Sequence, residues 1–555
     1  MMKSSLCSTS GRSAVSANRS TPGAGRLNRL TPRLSLPQYT PFTSRACPTP
    51  RRFQCRVLER PVEQERAPAS AQEGEAFSWT KNWYVVGVEA DLDKEQPHAV
   101  TVLGGQFVLW YTNGAWHCNV DMCPHRLAPM SEGKIVDDSL QCSYHGWRFS
   151  SGPDGKCVSI PQAPANIAAD TCENSATCLK SYPTRVEHGL VWIWPDGEEA
   201  RFIEAAATAV AQDVPPKGSE WQEFLPLFLR EFPYSYQTLF DNALDPSHVP
   251  WSHHGVIGDR TKVTPLEMEV VQGISPQGIT TRFSDDGEAA SAGADKQKVV
   301  TVTDLSFKAP HTLVYDLKRS DGTQGKLLAY CTPTEPGRCA VYSISLDTRR
   351  NLMTFFTSKV LPKWAAHMTF VKAGDGDIVL LKTQEEVVPR QDKGWRAFHM
   401  PTKADAMVSL WRRWLDSYAS EEAHPYMLAA PGATSVPASL LSKEDLIDRY
   451  SQHTKHCKTC SAAMNKFHLY SRIATAVAAL AAQLALLAAL GVWNVQQGLG
   501  FVPAGGFSLG PLAVPAKWAV TAVATAVAAL AAKTAKGFAE SKQDFIYRDY
   551  VHAYI

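Results

Sequence analysis

Two short motifs constrain this chain more than any other feature: Cys123-Pro-His125 and, after sixteen further residues, Cys142-Ser-Tyr-His145. Each motif offers one thiolate and one imidazole, so two loops that face each other can hold one metal centre. In a [2Fe–2S] cluster of mixed ligation, two cysteines bind one iron and two histidines bind the other, which raises the reduction potential. A structural Cys₂His₂ zinc site is the competing interpretation. The C-x-H half is unlike zinc-finger spacing, which favours the cluster.

A second set of candidate ligands lies in residues 241–254, which read Asp-Asn-Ala-Leu-Asp-Pro-Ser-His-Val-Pro-Trp-Ser-His-His. His248 and His253 can meet one metal from a helix end and the turn after it, because Pro250 interrupts a regular helix. His254 is the alternative to His253. Two histidines and one carboxylate form a facial triad that binds Fe(II) and leaves positions open for O₂.

The carboxylate of this triad has several candidates. Asp377 lies on a predicted helix more than 100 residues further on, and its competitors are Asp375, Glu385 and Glu386. The residues alone leave that choice open. Asp245 has two interpretations, an ordinary helix-terminal carboxylate or one that orients a metal-bound imidazole.

The chain divides into segments of different character. Short strand-like runs separated by turns predict a small all-β domain over residues 78–197, which contains the first motifs. A mixed α+β domain with the second set of ligands follows over residues 215–450. The composition is 44% hydrophobic and 20% charged with a net charge of +2, so no nucleic-acid partner is expected.

The N-terminal residues 1–58 contain no Asp or Glu and are rich in Ser, Thr, Pro and Arg. This composition predicts an organellar transit peptide, with a disordered basic tail as the alternative. Residues 59–77 form a polar linker.

The C-terminal part combines a CxxC motif with apolar stretches. Cys457 and Cys460 lie in the segment 451–467. They are either structural or a switchable thiol pair; a metal pair is disfavoured because no second CxxC exists, although His453 and His456 are close. Residues 474–535 contain two apolar stretches, the second only 15 residues long. They predict a transmembrane helix hairpin, with a buried helical pair as the alternative.

Together the two ligand sets resemble the Rieske non-haem iron oxygenases. Rieske electron carriers have two additional loop cysteines, where this chain has Ala128 and Tyr144. The family supplies two iron ligands from Asn-x-x-Asp-x-x-His-x₄-His, and its third ligand is an Asp followed seven residues later by Gln. The matching residues are Asn242, Asp245, His248, His253, Asp377 and Gln384. The resemblance implies a helix-grip fold for the second domain.

Residues 245–255, the CxxC tail and the apolar hairpin are similar to the plastid branch that contains the pheophorbide a oxygenase family. Its relatives are chlorophyllide a oxygenase, the inner-envelope translocon Rieske protein and the protochlorophyllide-linked translocon component. The resemblance implies a chloroplast enzyme anchored in the thylakoid or inner envelope. Its expected reaction is oxygen insertion from O₂ into a chlorophyll-derived tetrapyrrole, pheophorbide a first, with electrons from reduced ferredoxin.

The same resemblance implies further partners and rivals. A homotrimer is expected, in which Asp245 links the cluster ligand His145 of one chain to His248 of another, and thioredoxin is a candidate partner of the CxxC. The alternative substrates are chlorophyllide a, protochlorophyllide and a phyllobilin. The alternative function is a redox-sensing Rieske component of the chloroplast protein import machinery.

Overall fold

A computed structural model describes residues 78–210, 213–216, 219–285, 300–418, 441–490 and 516–552. The predicted transit peptide (1–58) and linker (59–77) lie outside the described residues.

The N-terminal domain consists of short antiparallel strands in three small sheets, with the orders β1-β11-β10, β2-β3-β4-β9 and β5-β6-β7-β8. Buried aromatic side chains such as Trp110 and Trp116 fill the space between them. The strands and two short helices are β1 Tyr84–Val88, β2 His98–Val102, β3 Gly105–Thr112, β4 Ala115–Val120, β5 Lys134–Val136, β6 Ser139–Gln141, β7 Arg148–Ser150, β8 Cys157–Ser159, α1 Ala165–Cys172, β9 Ser181–Tyr182, β10 Thr184–Glu187, β11 Leu190–Ile193 and α2 Arg201–Ala207. Two of the scattered cysteines, Cys157 and Cys172, form a disulfide.

The second domain is a seven-stranded antiparallel sheet with helices on one side, in the order β12-β18-β17-β16-β15-β14-β13. Its elements are β12 Gln222–Phe232, α3 Tyr236–Ala243, α4 Val249–Ser252, β13 Glu269–Ser275, β14 Gly278–Asp285, β15 Thr301–Lys308, β16 Thr312–Arg319, β17 Gln324–Pro333, β18 Cys339–Asp347, α5 Leu352–Phe355, α6 Lys363–Val387 and α7 Ala406–Tyr418. Ile378 and Leu381 of α6 join Phe240, Phe307 and Trp411 in one buried cluster. The long helix α6 is therefore held by the sheet and its neighbouring helices, which is the expected helix-grip arrangement.

Within the described residues 441–490 and 516–552, the C-terminal part contains two short α-helices and two long ones: α8 Lys443–Leu446, α9 Arg449–Gln452, α10 Lys458–Ala489 and α11 Ala516–Gln543. The long helices have apolar windows of mean hydropathy 1.7 and 1.4, and only 11% of each window is buried. By length and composition, both could cross a membrane. They contact each other, for example where Ser471 Oγ donates to the carbonyl of Ala535 at 3.0 Å.

Residues 544–552 leave α11 and return to the second domain. Phe545 and Tyr550 are buried there, and the Tyr550 hydroxyl donates to the carbonyl of Ser252 at 2.5 Å. Gly376 of α6 lies under this contact, and a Cβ at that position would stand 2.7 Å from the same carbonyl. Glycine therefore lets α4 and the C-terminal return approach α6 closely.

Candidate metal centres

The loops 123–128 and 142–147 face each other at the tip of the N-terminal domain. Each is closed by a backbone hydrogen bond across its base, from Cys123 N to Ala128 O at 2.8 Å and from Cys142 N to Trp147 O at 2.9 Å. The first loop follows β4, and the second joins β6 to β7. This arrangement brings the two predicted pairs of cluster ligands to one place.

The ligand pairs of these loops differ in burial. Cys123 and Cys142 are buried, His145 is half-buried and His125 is exposed. The two imidazole rings lie 4.6 Å apart, and Trp147 stacks on His125 at 4.6 Å. Burial raises the pKa of Cys123, and a bound cation would stabilise its thiolate form. The two thiols lie in the protein interior and the two imidazoles lie towards the surface. This arrangement fits a [2Fe–2S] cluster in which the cysteines bind one iron and the histidines bind the other.

A second centre forms where the turn after α3 meets α6. The Nε2 atoms of His248 and His253 lie 3.1 Å apart. Asp377 places Oδ2 at 3.3 Å from His253 Nε2 and Oδ1 at 3.9 Å from His248 Nε2. Two imidazoles and one carboxylate thus converge on one point, as the facial triad requires.

The protonation states at this centre suit a metal. His248 Nδ1 hydrogen-bonds to the carbonyl of Asp245, so Nδ1 carries the proton and Nε2 keeps a lone pair. Burial lowers the pKa of His253 to about 4 and raises that of Asp377 to about 7. A buried carboxylate beside two neutral imidazoles gains from a divalent cation, so the donor set fits Fe(II).

The predicted residues beside the triad also lie close to it. Asn242 places its amide nitrogen 3.2 Å from His248 Nε2. Asp245 caps the turn, because its Oδ1 accepts from the backbone nitrogen of Ser247 at 2.8 Å. Its Oδ2 lies 4.0 Å from His248 Nδ1, and the side chain is 28% exposed.

The competing candidates have other partners. Asp375 forms ion pairs with Arg230 and Arg449. Glu385 accepts from the backbone nitrogen of Ser235 and pairs with Lys382. His254 Nδ1 accepts from the backbone nitrogen of Arg260 at 3.1 Å. The geometry therefore favours Asp377 over Asp375 and Glu385, and His253 over His254.

One cluster of side chains was missed by the sequence analysis. Cys457 and Cys460 of the CxxC meet His453 and also His367, which comes from α6. His456, the other nearby histidine, instead faces Glu231 at 3.3 Å. Nothing in the sequence around His367 marks it as a partner of a motif 90 residues away.

The family models match both parts of the chain: a Rieske [2Fe-2S] domain at residues 82–183 and pheophorbide a oxygenase at residues 307–395. "Pheophorbide a oxygenase, chloroplastic" of Arabidopsis thaliana is 29% identical over 525 residues, which cover 90% of this chain and 88% of that protein. The rice protein of the same name is 31% identical and covers 70% and 74%. "Flavonoid 8-hydroxylase 2, chloroplastic" of Ocimum basilicum is 30% identical and covers 71% and 75%.

The matched Rieske domain, its cluster loops and the helix-grip second domain define a Rieske-type oxygenase. Within that class, the chain belongs to the pheophorbide a oxygenase family. The predicted resemblance is thereby confirmed, and the matching relatives also include Protein TIC 55 and chlorophyllide a oxygenase. These relatives are chloroplast proteins.

Proposed function

We propose that this enzyme inserts oxygen from O₂ into a chlorophyll-derived tetrapyrrole, with pheophorbide a as the first candidate. The observation that carries the proposal is the convergence of His248, His253 and Asp377 within 3.9 Å of one another. The choice of substrate is supported by the similarity to two pheophorbide a oxygenases, from Arabidopsis and rice, of which the Arabidopsis protein matches 90% of this chain.

The residues divide the catalytic work. Iron held by the triad would supply the activation of O₂, and a cluster held by Cys123, His125, Cys142 and His145 would supply electrons from reduced ferredoxin. His248, His253 and Asp377 would hold the metal as a facial triad, which leaves coordination positions open for O₂. The Asn242 amide lies beside this site, with its nitrogen 3.2 Å from His248 Nε2. His253 and Asp377 are buried, and burial strengthens the electrostatic interactions within the centre.

Electron transfer in this proposal crosses between subunits of a homotrimer. Asp245 would link His145 of one chain to His248 of the next, since its partly exposed side chain places Oδ2 4.0 Å from His248 Nδ1. Large apolar side chains are exposed beside both centres: Leu127 and Tyr144 near the cluster, and Trp251 near the triad. Exposed apolar surface at two separate places suits a head-to-tail ring, in which each patch covers the other.

The location follows from the hairpin and the relatives. Helices α10 and α11 would anchor the enzyme in a chloroplast membrane, either the thylakoid or the inner envelope. A planar apolar pigment partitions into the same membrane, so substrate and enzyme would meet there.

The second candidate is hydroxylation of a flavonoid, which is favoured by the similarity to the basil protein. A redox-sensing Rieske component of the protein import machinery is the third candidate. The three converging iron-ligand candidates argue against it, because a sensor without turnover does not require an open coordination position on iron.

The test is substrate-dependent O₂ uptake by the purified enzyme with reduced ferredoxin. Pheophorbide a should stimulate uptake, and a flavone of matched concentration should not. Asp377→Asn is the matched control, since it should keep the Rieske signal and lose the uptake. If only the flavone stimulates O₂ uptake, the substrate is a flavonoid and not pheophorbide a. If neither compound stimulates O₂ uptake, the result favours the redox-sensor function.

A further inference from the structure

Four metal-binding side chains meet in the interior, away from the two iron centres. His367 comes from α6, His453 follows α9, and Cys457 and Cys460 stand at the start of α10. All four are 3% exposed or less. We refer to these four residues as the Cys₂His₂ cluster.

The distances within the Cys₂His₂ cluster are those between the ligands of one small cation. His453 Nε2 lies 3.2 Å from Cys460 Sγ, and His367 Nδ1 lies 3.5 Å from both sulfur atoms. All four donor atoms lie within 4.8 Å of one another. A tetrahedral Zn²⁺ with bonds of about 2.0–2.1 Å to nitrogen and 2.3 Å to sulfur separates its N and S ligands by roughly 3.5 Å.

The surroundings prepare these atoms for a metal. His453 Nδ1 lies 2.6 Å from the carbonyl of Leu229, so that nitrogen carries the proton and Nε2 offers its lone pair to the centre. Cys457 immediately precedes α10 and Cys460 lies in its first turn, where the helix dipole favours thiolates. Two thiolates and two neutral imidazoles around Zn²⁺ carry no net charge, which suits a pocket lined by apolar residues such as Phe228 and Phe545.

A thiol switch explains less of this arrangement. Cys457 and Cys460 are free and buried, so the thiol of a second protein reaches them only after local unfolding. A disulfide also needs no imidazoles, whereas two point at these sulfur atoms.

We propose that the Cys₂His₂ cluster binds a structural Zn²⁺. His367 lies ten residues before Asp377 on α6, and Lys458, beside Cys457, donates its backbone N–H to Asp91 of the N-terminal domain at 2.9 Å. The zinc ion joins the first membrane helix to the helix that carries the iron-ligand candidate.

The decisive experiment uses the full-length wild-type protein in detergent, purified without a histidine tag. Elemental analysis should find about one zinc per chain beside the iron. X-ray absorption at the zinc edge should show two sulfur ligands at about 2.3 Å and two nitrogen ligands at about 2.0–2.1 Å. Protein without zinc, in which both cysteines react as free thiols or are joined as a disulfide, would overturn the proposal and favour the redox switch.

Variants give a second, independent test. The double variant Cys457→Ala/Cys460→Ala should lose the zinc and keep the Rieske electron paramagnetic resonance signal. His456→Ala is the matched control, because His456 is the neighbour of Cys457 that faces Glu231 instead, and it should keep the zinc. Zinc retained by the double variant, or lost from the control, would contradict the assignment. If the double variant does not fold, the X-ray absorption spectrum of the wild-type protein by itself tests whether the Cys₂His₂ cluster binds zinc.

Discussion

Asp375 and Asp377 stand two residues apart on α6, and replacing each by asparagine should separate stability from metal binding. Asp375 is 0% exposed and lies 2.6 Å from a guanidinium nitrogen of Arg230 and of Arg449, which are 0% and 2% exposed. Asp377 is also buried, but its partners are the imidazoles of His248 and His253.

The expected magnitude for Asp375→Asn follows from the charges that it leaves behind. Removing one partner of a buried ion pair costs about 3–5 kcal/mol, because the remaining charge stays buried without compensation. Two guanidinium groups lose their carboxylate here, so the upper part of that range applies. At roughly 2–4 °C per kcal/mol for a domain of this size, the melting temperature should fall on the order of 10 °C.

Asp377→Asn should behave in the opposite way. Burial raises the pKa of Asp377 to about 7, so its charge is disfavoured in the metal-free protein, and a neutral amide costs little stability. The variant should keep its melting temperature without iron but fail to hold the mononuclear iron. The assay is thermal unfolding of the metal-free proteins together with iron content after reconstitution. The reasoning would be refuted if the Asp375→Asn protein had the melting temperature of the wild type, or if the Asp377→Asn protein still bound the mononuclear iron.

Three further predictions concern other parts of the chain. The variant Asp245→Asn should preserve the turn cap and both metal centres. It should slow reoxidation of the Rieske cluster by O₂ and substrate about 10-fold or more in stopped-flow measurements. An unchanged reoxidation rate would exclude the bridging role of Asp245. Burial lowers the pKa of His311 to about 4, so the unfolded chain binds a proton at a higher pH than the folded protein does. The free energy of unfolding should therefore fall by about 1.4 kcal/mol per pH unit as the pH decreases from about 6.5 to 4. The variant His311→Gln should show a weaker pH dependence in urea unfolding. Deleting residues 544–552 removes the buried side chains of Phe545 and Tyr550. The free energy of unfolding should fall by several kcal/mol, because burial of each side chain contributes about 1.5–3 kcal/mol. Arg548 is exposed, so the control variant Arg548→Ala should have the melting temperature of the wild type.

The sequence predicted the parts of both centres that lie close together in the chain. The candidate cluster ligands occupy two loops with the C-x-H and C-x-x-H spacing, and the candidate iron ligands His248 and His253 lie on one turn. Strand β16, Thr312–Arg319, contains the β-branched and aromatic residues that favour strands, so its type could be predicted from the local sequence.

Long-range contacts were beyond the sequence. Asp377 could be chosen over Asp375 only through the family pattern, because the ion pairs that occupy Asp375 come from β12 and α9. His367 reaches the CxxC from another helix, so its role has no local signal. The second apolar stretch has only 15 residues, and this length was the argument for a buried helical pair. In the structure, α11 continues to Gln543, and only 11% of its apolar window is buried, which argues against a buried pair.

The most direct test of the central claim is a single turnover with isotopically labelled O₂. The reduced enzyme, with both iron centres confirmed, would receive pheophorbide a, and the products would be analysed by mass spectrometry. The account predicts labelled oxygen in the product together with loss of the macrocycle absorbance. Unlabelled and unchanged pheophorbide a, from enzyme whose cluster and mononuclear iron are both present, would contradict it.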